Sequence, residues 1–179
     1  MLANTELIIL PYSSKEGRSI LQILVWELEN GGWTSFRGAV AFARHSGNDV
    51  RLLSALSSFV ERGASIALTL GADTFGTTGR GTEYHAVETL LRLFAPYPNA
   101  ELFLYHEPRR TFHPKIYLFA NEQEGRALSI IGSSNWTEGG LAENVEANVL
   151  ITFDLTIADH LSNYQSLKGH FERYWSEMQ

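Results

Sequence analysis

His113 and Lys115 lie two residues apart in the stretch 112–119, Phe-His-Pro-Lys-Ile-Tyr-Leu-Phe, and Ser133, Asn135 and Glu146 follow further along the chain. Together they supply an imidazole, an ammonium, a hydroxyl, a carboxamide and a carboxylate. That set suits attack on phosphorus. A neutral imidazole can attack a phosphodiester and hold the phosphoryl group covalently. An ammonium and a carboxamide can hold the phosphoryl oxygens as negative charge builds on them. A carboxylate on the far ring nitrogen would set the histidine tautomer and support the imidazolium. Each residue alone means little, because a lone strand histidine or a lone Gly-Ser turn is more often structural. The ordered combination carries the reading.

These groups meet only if the chain brings their segments together. Phe112, Ile116, Leu118 and Phe119 read as a strand, 113–120, and side chains at i and i+2 of a strand share a face, so His113 and Lys115 point the same way. The next strand, 126–134, runs into Gly132-Ser133-Ser134-Asn135, where Gly132 permits a tight turn. Glu146, followed by Asn148, opens a further strand, 145–153. Earlier in the chain, strands are expected at 6–12, 35–44, 65–72 and 100–107. Helices are expected at 14–31, ending at Gly31-Gly32; at 48–64, with Asn48 as the cap; at 83–94, stopped by Pro96 and Pro98; and at 157–178. The expected fold is α/β in one domain, 1–179: a mixed, mostly parallel sheet flanked by helices on both faces. The Gly- and Thr-rich stretch 73–85 lies between a strand and a helix, where α/β folds place ligand loops. No Gly-Lys-Ser/Thr follows its glycines, so it is no P-loop; Thr74, Thr77, Thr78 and Arg80 are rim candidates.

Composition narrows the function classes. The 179 residues are 44% hydrophobic and 19% charged, which describes a globular chain and not a disordered one. There is no cysteine, which excludes disulfides and thiolate zinc sites and favours a cytoplasmic setting. The segment MLANTELIILPYSSKEG has no basic leader and too short an apolar run for a membrane span, so it reads as a strand and no membrane partner is expected. A formal charge of −6 argues against coating nucleic acid by bulk charge. It leaves room for a local basic cleft, and Arg109, Arg110 and Lys115 form the one visible basic cluster.

The pattern His113-x-Lys115 followed by Gly132-Ser133-x-Asn135 resembles the signature of the phospholipase D superfamily. Glu146, eleven residues past Asn135, matches the glutamate that single-motif nucleases of that superfamily place behind the histidine. In size and layout the chain is similar to the catalytic domain of those nucleases, including metal-independent restriction endonucleases of the BfiI type. One position departs. The family's aspartate, mainly structural there, would fall at Ala120, with Asn121 beside it, and the loop Asn121–Gly125 is longer than in the compact motif.

The resemblance implies a metal-independent phosphodiesterase acting on DNA, more readily than on RNA, through a phosphohistidine, with a restriction or defence role. It implies no cofactor and no metal. The superfamily builds one active site from two copies of the motif, and this chain has one: neither His45 nor His85 has a paired lysine. A homodimer with its site on the two-fold axis is therefore expected. One His113 would attack and its mate would protonate the leaving oxygen. Lys115 and Asn135 would clamp the phosphate, Ser133 would hydrogen-bond near it, and Glu146 would orient His113. Arg109 and Arg110 would contact further phosphates of the substrate. The alternatives are a phospholipid-processing phosphatidyltransferase or phospholipase D, and a catalytically degenerate domain that binds nucleic acid. Trp136 is expected to pack in the core.

Overall fold

The computed structural model describes residues 4–10, 18–72, 81–107 and 109–176. The rim candidates Thr74, Thr77, Thr78 and Arg80 lie outside the described residues, as does the start of the helix expected from residue 14. Strands β1 (Asn4–Leu10), β2 (Ser35–Val40), β3 (Ser65–Gly71), β4 (Ala100–Tyr105), β5 (Lys115–Asn121), β6 (Arg126–Gly132) and β7 (Glu146–Asp154) form one sheet, ordered β1-β7-β6-β5-β2-β3-β4.

The sheet is mixed, as expected, but its balance is not mostly parallel. Only β2–β3 and β3–β4 pair parallel; β1–β7, β7–β6, β6–β5 and β5–β2 pair antiparallel. Connection length is the reason. A parallel pair needs a crossover, which α2 (Val50–Glu61) provides between β2 and β3 and α3 (Tyr84–Phe94) between β3 and β4. The four-residue turn from Asn121 to Arg126 allows only a hairpin.

Alternation along the strands divides the apolar residues between two cores. Phe36, Tyr117, Phe119 and Ile130 face α1 (Ile20–Asn30), α2 and α3, where Leu24, Leu56, Phe59 and Leu90 meet them. Ala39, Leu118, Ala120 and Ala127 face α4 (Ala158–Ser176), packing with Tyr164 and Phe171. Helices therefore cover both faces. No helix among the described residues is long and apolar enough to cross a membrane.

Helix ends follow local chemistry. Ser19 and Gln22 form a capping box ahead of α1. The cap of α2 is Asp49, not Asn48: the Asp49 carboxylate accepts from the amides of Arg51 (2.9 Å) and Leu52 (3.4 Å). A carboxylate also answers the positive end of the helix dipole. Asn48 turns inward for a different task, described below. Gly63, at φ 87°, takes the left-handed conformation just after α2 ends.

Register aligns one end of the sheet. Val40 pairs with both Leu70 and Lys115, Ile131 with Ile116, Gly132 with Asn148, and Leu10 with Glu146. The carboxyl ends of β2, β3, β4 and β6 and the first residues of β5 and β7 thus lie side by side.

Candidate active site

Lys115 opens β5 and is buried, while His113 stays exposed just before the strand. The ladder starts at Lys115 because Pro114 has no N–H to give it. The side chains of His113 and Lys115 nevertheless converge, as the i, i+2 spacing predicts. Lys115 Nζ is 2.8 Å from His113 Nδ1 and 3.1 Å from Nε2, and it donates to the His113 carbonyl at 3.1 Å. Being close to both ring nitrogens, the Lys115 ammonium sits against the ring rather than in line with either nitrogen's lone pair. Burial pushes the Lys115 pKa down, against an opposing pull from the Glu146 charge.

The turn after β6 is built around Gly132. A Cβ there would come within 2.3 Å of the Ala147 carbonyl and of Asn148 Oδ1, so only glycine fits where β6 passes β7. The hydroxyl of exposed Ser133 donates to the Glu146 carboxylate and accepts from the Ala147 amide at 3.0 Å. Glu146 was expected on the His113 ring; the bond it makes here is to Ser133. The Ser133 proton is thereby engaged with a carboxylate and not directed at an incoming phosphate. Beneath the turn, Asn148 Nδ2 donates to Ser134 Oγ (2.9 Å), and the Tyr117 hydroxyl donates to the Ser134 carbonyl (3.0 Å). Burial first, and the Glu146 charge second, push the Tyr117 pKa far above its usual value, so Tyr117 is a fixed donor.

Half-buried Asn135 is positioned by the segment just past β2. The Phe42 amide donates to Asn135 Oδ1 at 3.1 Å, which leaves Nδ2 as the outward donor. The Phe42 ring meets the His113 ring edge-on, with centroids 5.9 Å apart and planes at 79°. Phe42 thus links His113 to Asn135. The next residue, Trp136, is fully buried, as expected. Its indole N–H donates to Asn48 Oδ1 (2.9 Å), and Asn48 Nδ2 donates to the Ala86 carbonyl (3.1 Å). That is why Asn48 is turned away from its helix. Sequence reasoning missed Phe42 and Asn48. The Phe42 contact with Asn135 is a main-chain donor that no residue type signals, and the Asn48 partner lies 88 residues away.

The arginines divide. Arg110 is exposed and pairs with Glu107 at 3.4 Å, which offsets its charge. Arg109 is exposed in a left-handed conformation, φ 72°. Ala120 stands at the other end of β5, five residues from Lys115 and so roughly 17 Å away. It is buried against α4, away from the sheet end that holds His113 and Lys115. Asn121 holds the hairpin: its Nδ2 donates to the Gly32 carbonyl (3.0 Å) and its Oδ1 accepts from the Glu124 amide (3.2 Å).

A mixed seven-stranded sheet between two helical layers, with His-x-Lys opening one strand and Gly-Ser-x-Asn closing the next, defines a phospholipase D-like domain carrying a single motif. The family described as the cardiolipin synthase, PLD-like domain matches residues 34–175, and the chain belongs to it, a family of phosphodiesterase-type enzymes. The fold is similar to that of NucT from Helicobacter pylori, with a TM-score of 0.65 at 15% identity, over 97% of this chain and 96% of that one. It is similar to Nuc from Salmonella typhimurium, a phospholipase D family member, with a TM-score of 0.59 at 18% identity, over 97% and 94%. It is also similar to part of the phosphatidylserine synthase of Haemophilus influenzae, with a TM-score of 0.65 at 12% identity, over 95% of this chain and 39% of that one. No curated protein sequence matches the chain.

Proposed function

We propose that this chain cleaves DNA as a metal-independent phosphodiesterase, through a phosphohistidine at His113, in an active site shared by two copies. The observation that carries the reading is the His113–Lys115 contact, 2.8 Å, at the sheet end that also holds Ser133, Asn135 and Glu146. A ring nitrogen of His113 donates its lone pair to phosphorus, and the bond from phosphorus to the leaving oxygen breaks. That oxygen departs with a proton from the second copy's His113. Water then attacks phosphorus and gives its proton to that second imidazole, and the N–P bond breaks to restore His113. Lys115 turns from the ring to the phosphoryl oxygens and neutralises the charge that builds on them. Asn135 Nδ2 donates to the same oxygens. Glu146 supports the imidazolium by its charge and sets Ser133. Arg109, exposed beside the strand, contacts a neighbouring phosphate, with Arg110 a weaker partner because of Glu107.

The test is hydrolysis of plasmid DNA and bis(p-nitrophenyl) phosphate in EDTA by the wild type and by His113→Ala. The wild type is expected to turn over both, and the variant to fall to background while keeping its fold. A protein inert on every diester, or active only with a divalent metal, would overturn the mechanism.

The family description favours a second reading, phosphatidyl transfer, in which an alcohol replaces water in the second half-reaction. Phosphatidylglycerol vesicles separate the two: new diphosphatidyl product would establish transfer, and DNA cleavage without it would establish the nuclease.

A further inference from the structure

Asn148 is a polar residue at a core position. It lies in β7 opposite Ile8 and Gly132, on the face where Ile8 and Leu150 pack into the core, and it is 2% exposed. A buried carboxamide costs free energy unless its polar atoms are bonded. Here they are, and to one residue. Nδ2 donates to Ser134 Oγ (2.9 Å), and Oδ1 accepts from the Ser134 amide (3.4 Å). Gly132 leaves the room, since a Cβ there would overlap Asn148 Oδ1. Glu146, two residues earlier on the same face, holds Ser133 by its hydroxyl.

Ser134 is thus held at its amide and its hydroxyl from β7, and its carbonyl is held from β5, where the Tyr117 hydroxyl donates to it at 3.0 Å. Ser134 is 0% exposed and Tyr117 is 1% exposed, so none of the three residues can touch a substrate. The next residue along the chain can. Asn135 has its Oδ1 fixed by the Phe42 amide, and its Nδ2 is the donor left for the phosphoryl oxygens.

A donor to a transition state must be placed closely, because a shift of about 1 Å can cost about a hundredfold in rate. A turn held only at its exposed side would leave Asn135 free to shift. We propose that Asn148, with Tyr117, is a positioning residue: by holding Ser134 from beneath, it sets Asn135 Nδ2 where the phosphoryl oxygens arrive. The proposal rests on the phosphodiesterase reading above and adds a buried residue that acts on the reaction only through Asn135.

Asn148→Leu keeps the volume and removes both bonds to Ser134; Tyr117→Phe keeps the ring and removes only the hydroxyl, and it serves where the first variant fails to fold. Amide hydrogen exchange, read residue by residue by NMR, tests the hold on Asn135 without any substrate. The Phe42 amide, whose acceptor is Asn135 Oδ1, should exchange about tenfold faster or more in either variant, with the amides of β3 and β4 unchanged. Kinetics on bis(p-nitrophenyl) phosphate test the consequence. Asn148→Leu should lower kcat by about tenfold with little change in KM, and Asn135→Ala by about a hundredfold. The double variant should be no slower than Asn135→Ala, because Asn148 has then lost the group it positions. A merely structural Asn148 would cost the same tenfold in both backgrounds. That result, or an unchanged Phe42 exchange rate in the folded variants, would overturn the proposal. A wild type that turns over no diester, with Phe42 exchange raised in the variants, would instead overturn the phosphodiesterase reading and leave the hold on Asn135 standing.

Discussion

Lys115 faces two demands at the residue scale. It is 6% exposed, and burial lowers its pKa, yet its ammonium meets the His113 ring and the Glu146 charge pulls its pKa back up. Lys115→Met removes the charge that the phosphoryl oxygens would meet and should cut kcat by about a hundredfold, read with bis(p-nitrophenyl) phosphate. Lys115→Arg should not restore it, because a planar guanidinium does not fit the point occupied by a buried ammonium. Restoration by arginine would place Lys115 outside the phosphate contacts. Asn48 acts one step further out. Asn48→Leu orphans the buried Trp136 indole N–H, at a cost of about 1–3 kcal/mol, while the Ala86 carbonyl keeps its place in α3. Urea unfolding reads that cost, and an unchanged midpoint would show that Asn48 holds nothing. The candidate side chains were legible because the proposed chemistry demands particular residue types at short spacing. Their supports were not, since Phe42 contributes a main-chain N–H and Asn48 looked like an ordinary helix cap.

At the element scale, the join between α1 and β2 depends on a buried carboxylate. Glu27 Oε2 accepts from Trp33 Nε1 at 2.7 Å, and Arg126 lies 4.2 Å from the Trp33 ring centre and donates to the Gly31 carbonyl at 2.7 Å. Burial raises the Glu27 pKa, and the Trp33 bond and the charges of Arg126 and Arg18 only partly offset it. The folded chain therefore holds the Glu27 proton more tightly than the unfolded chain does. This site favours folding at acid pH and loses that advantage as pH rises from the unfolded value, about 4.3, through the folded one. Glu27→Gln keeps an acceptor for Trp33 without the charge. It should raise the urea midpoint relative to wild type at pH 7, with the difference vanishing near pH 4. A variant less stable at pH 7 would show that attraction to Arg126 outweighs desolvation. Strands and helices were readable from apolar periodicity, down to Gly63 ending α2. Parallel against antiparallel was not, because the pattern of apolar residues in a buried strand is the same either way; the hairpin at Asn121–Arg126 and the crossover helices decide it.

At the scale of the whole molecule, one chain supplies one His113, and the proposed chemistry asks for two in opposite protonation states. His113 itself is exposed. Ser133 and Ala147 are exposed, and Val145, just before β7, is 68% exposed, an apolar side chain that contact with a second copy would cover. Nothing in composition could reveal this surface, since an exposed valine is legible only once its neighbours are placed. The dimer gives a measurable dilution law. Wild type and His113→Ala are co-expressed in equal amounts with different tags, so that copies pair at random. If each copy works alone, activity per total protein falls to about half that of the wild type; if both histidines of a pair are required, it falls to about a quarter, because only that fraction of pairs keeps both. Pairs purified through both tags carry one His113 each and should show no turnover above background. Mixed pairs that retain half of the wild-type activity would mean that each chain holds a complete site, and the acid for the leaving oxygen would then have to be sought within one chain.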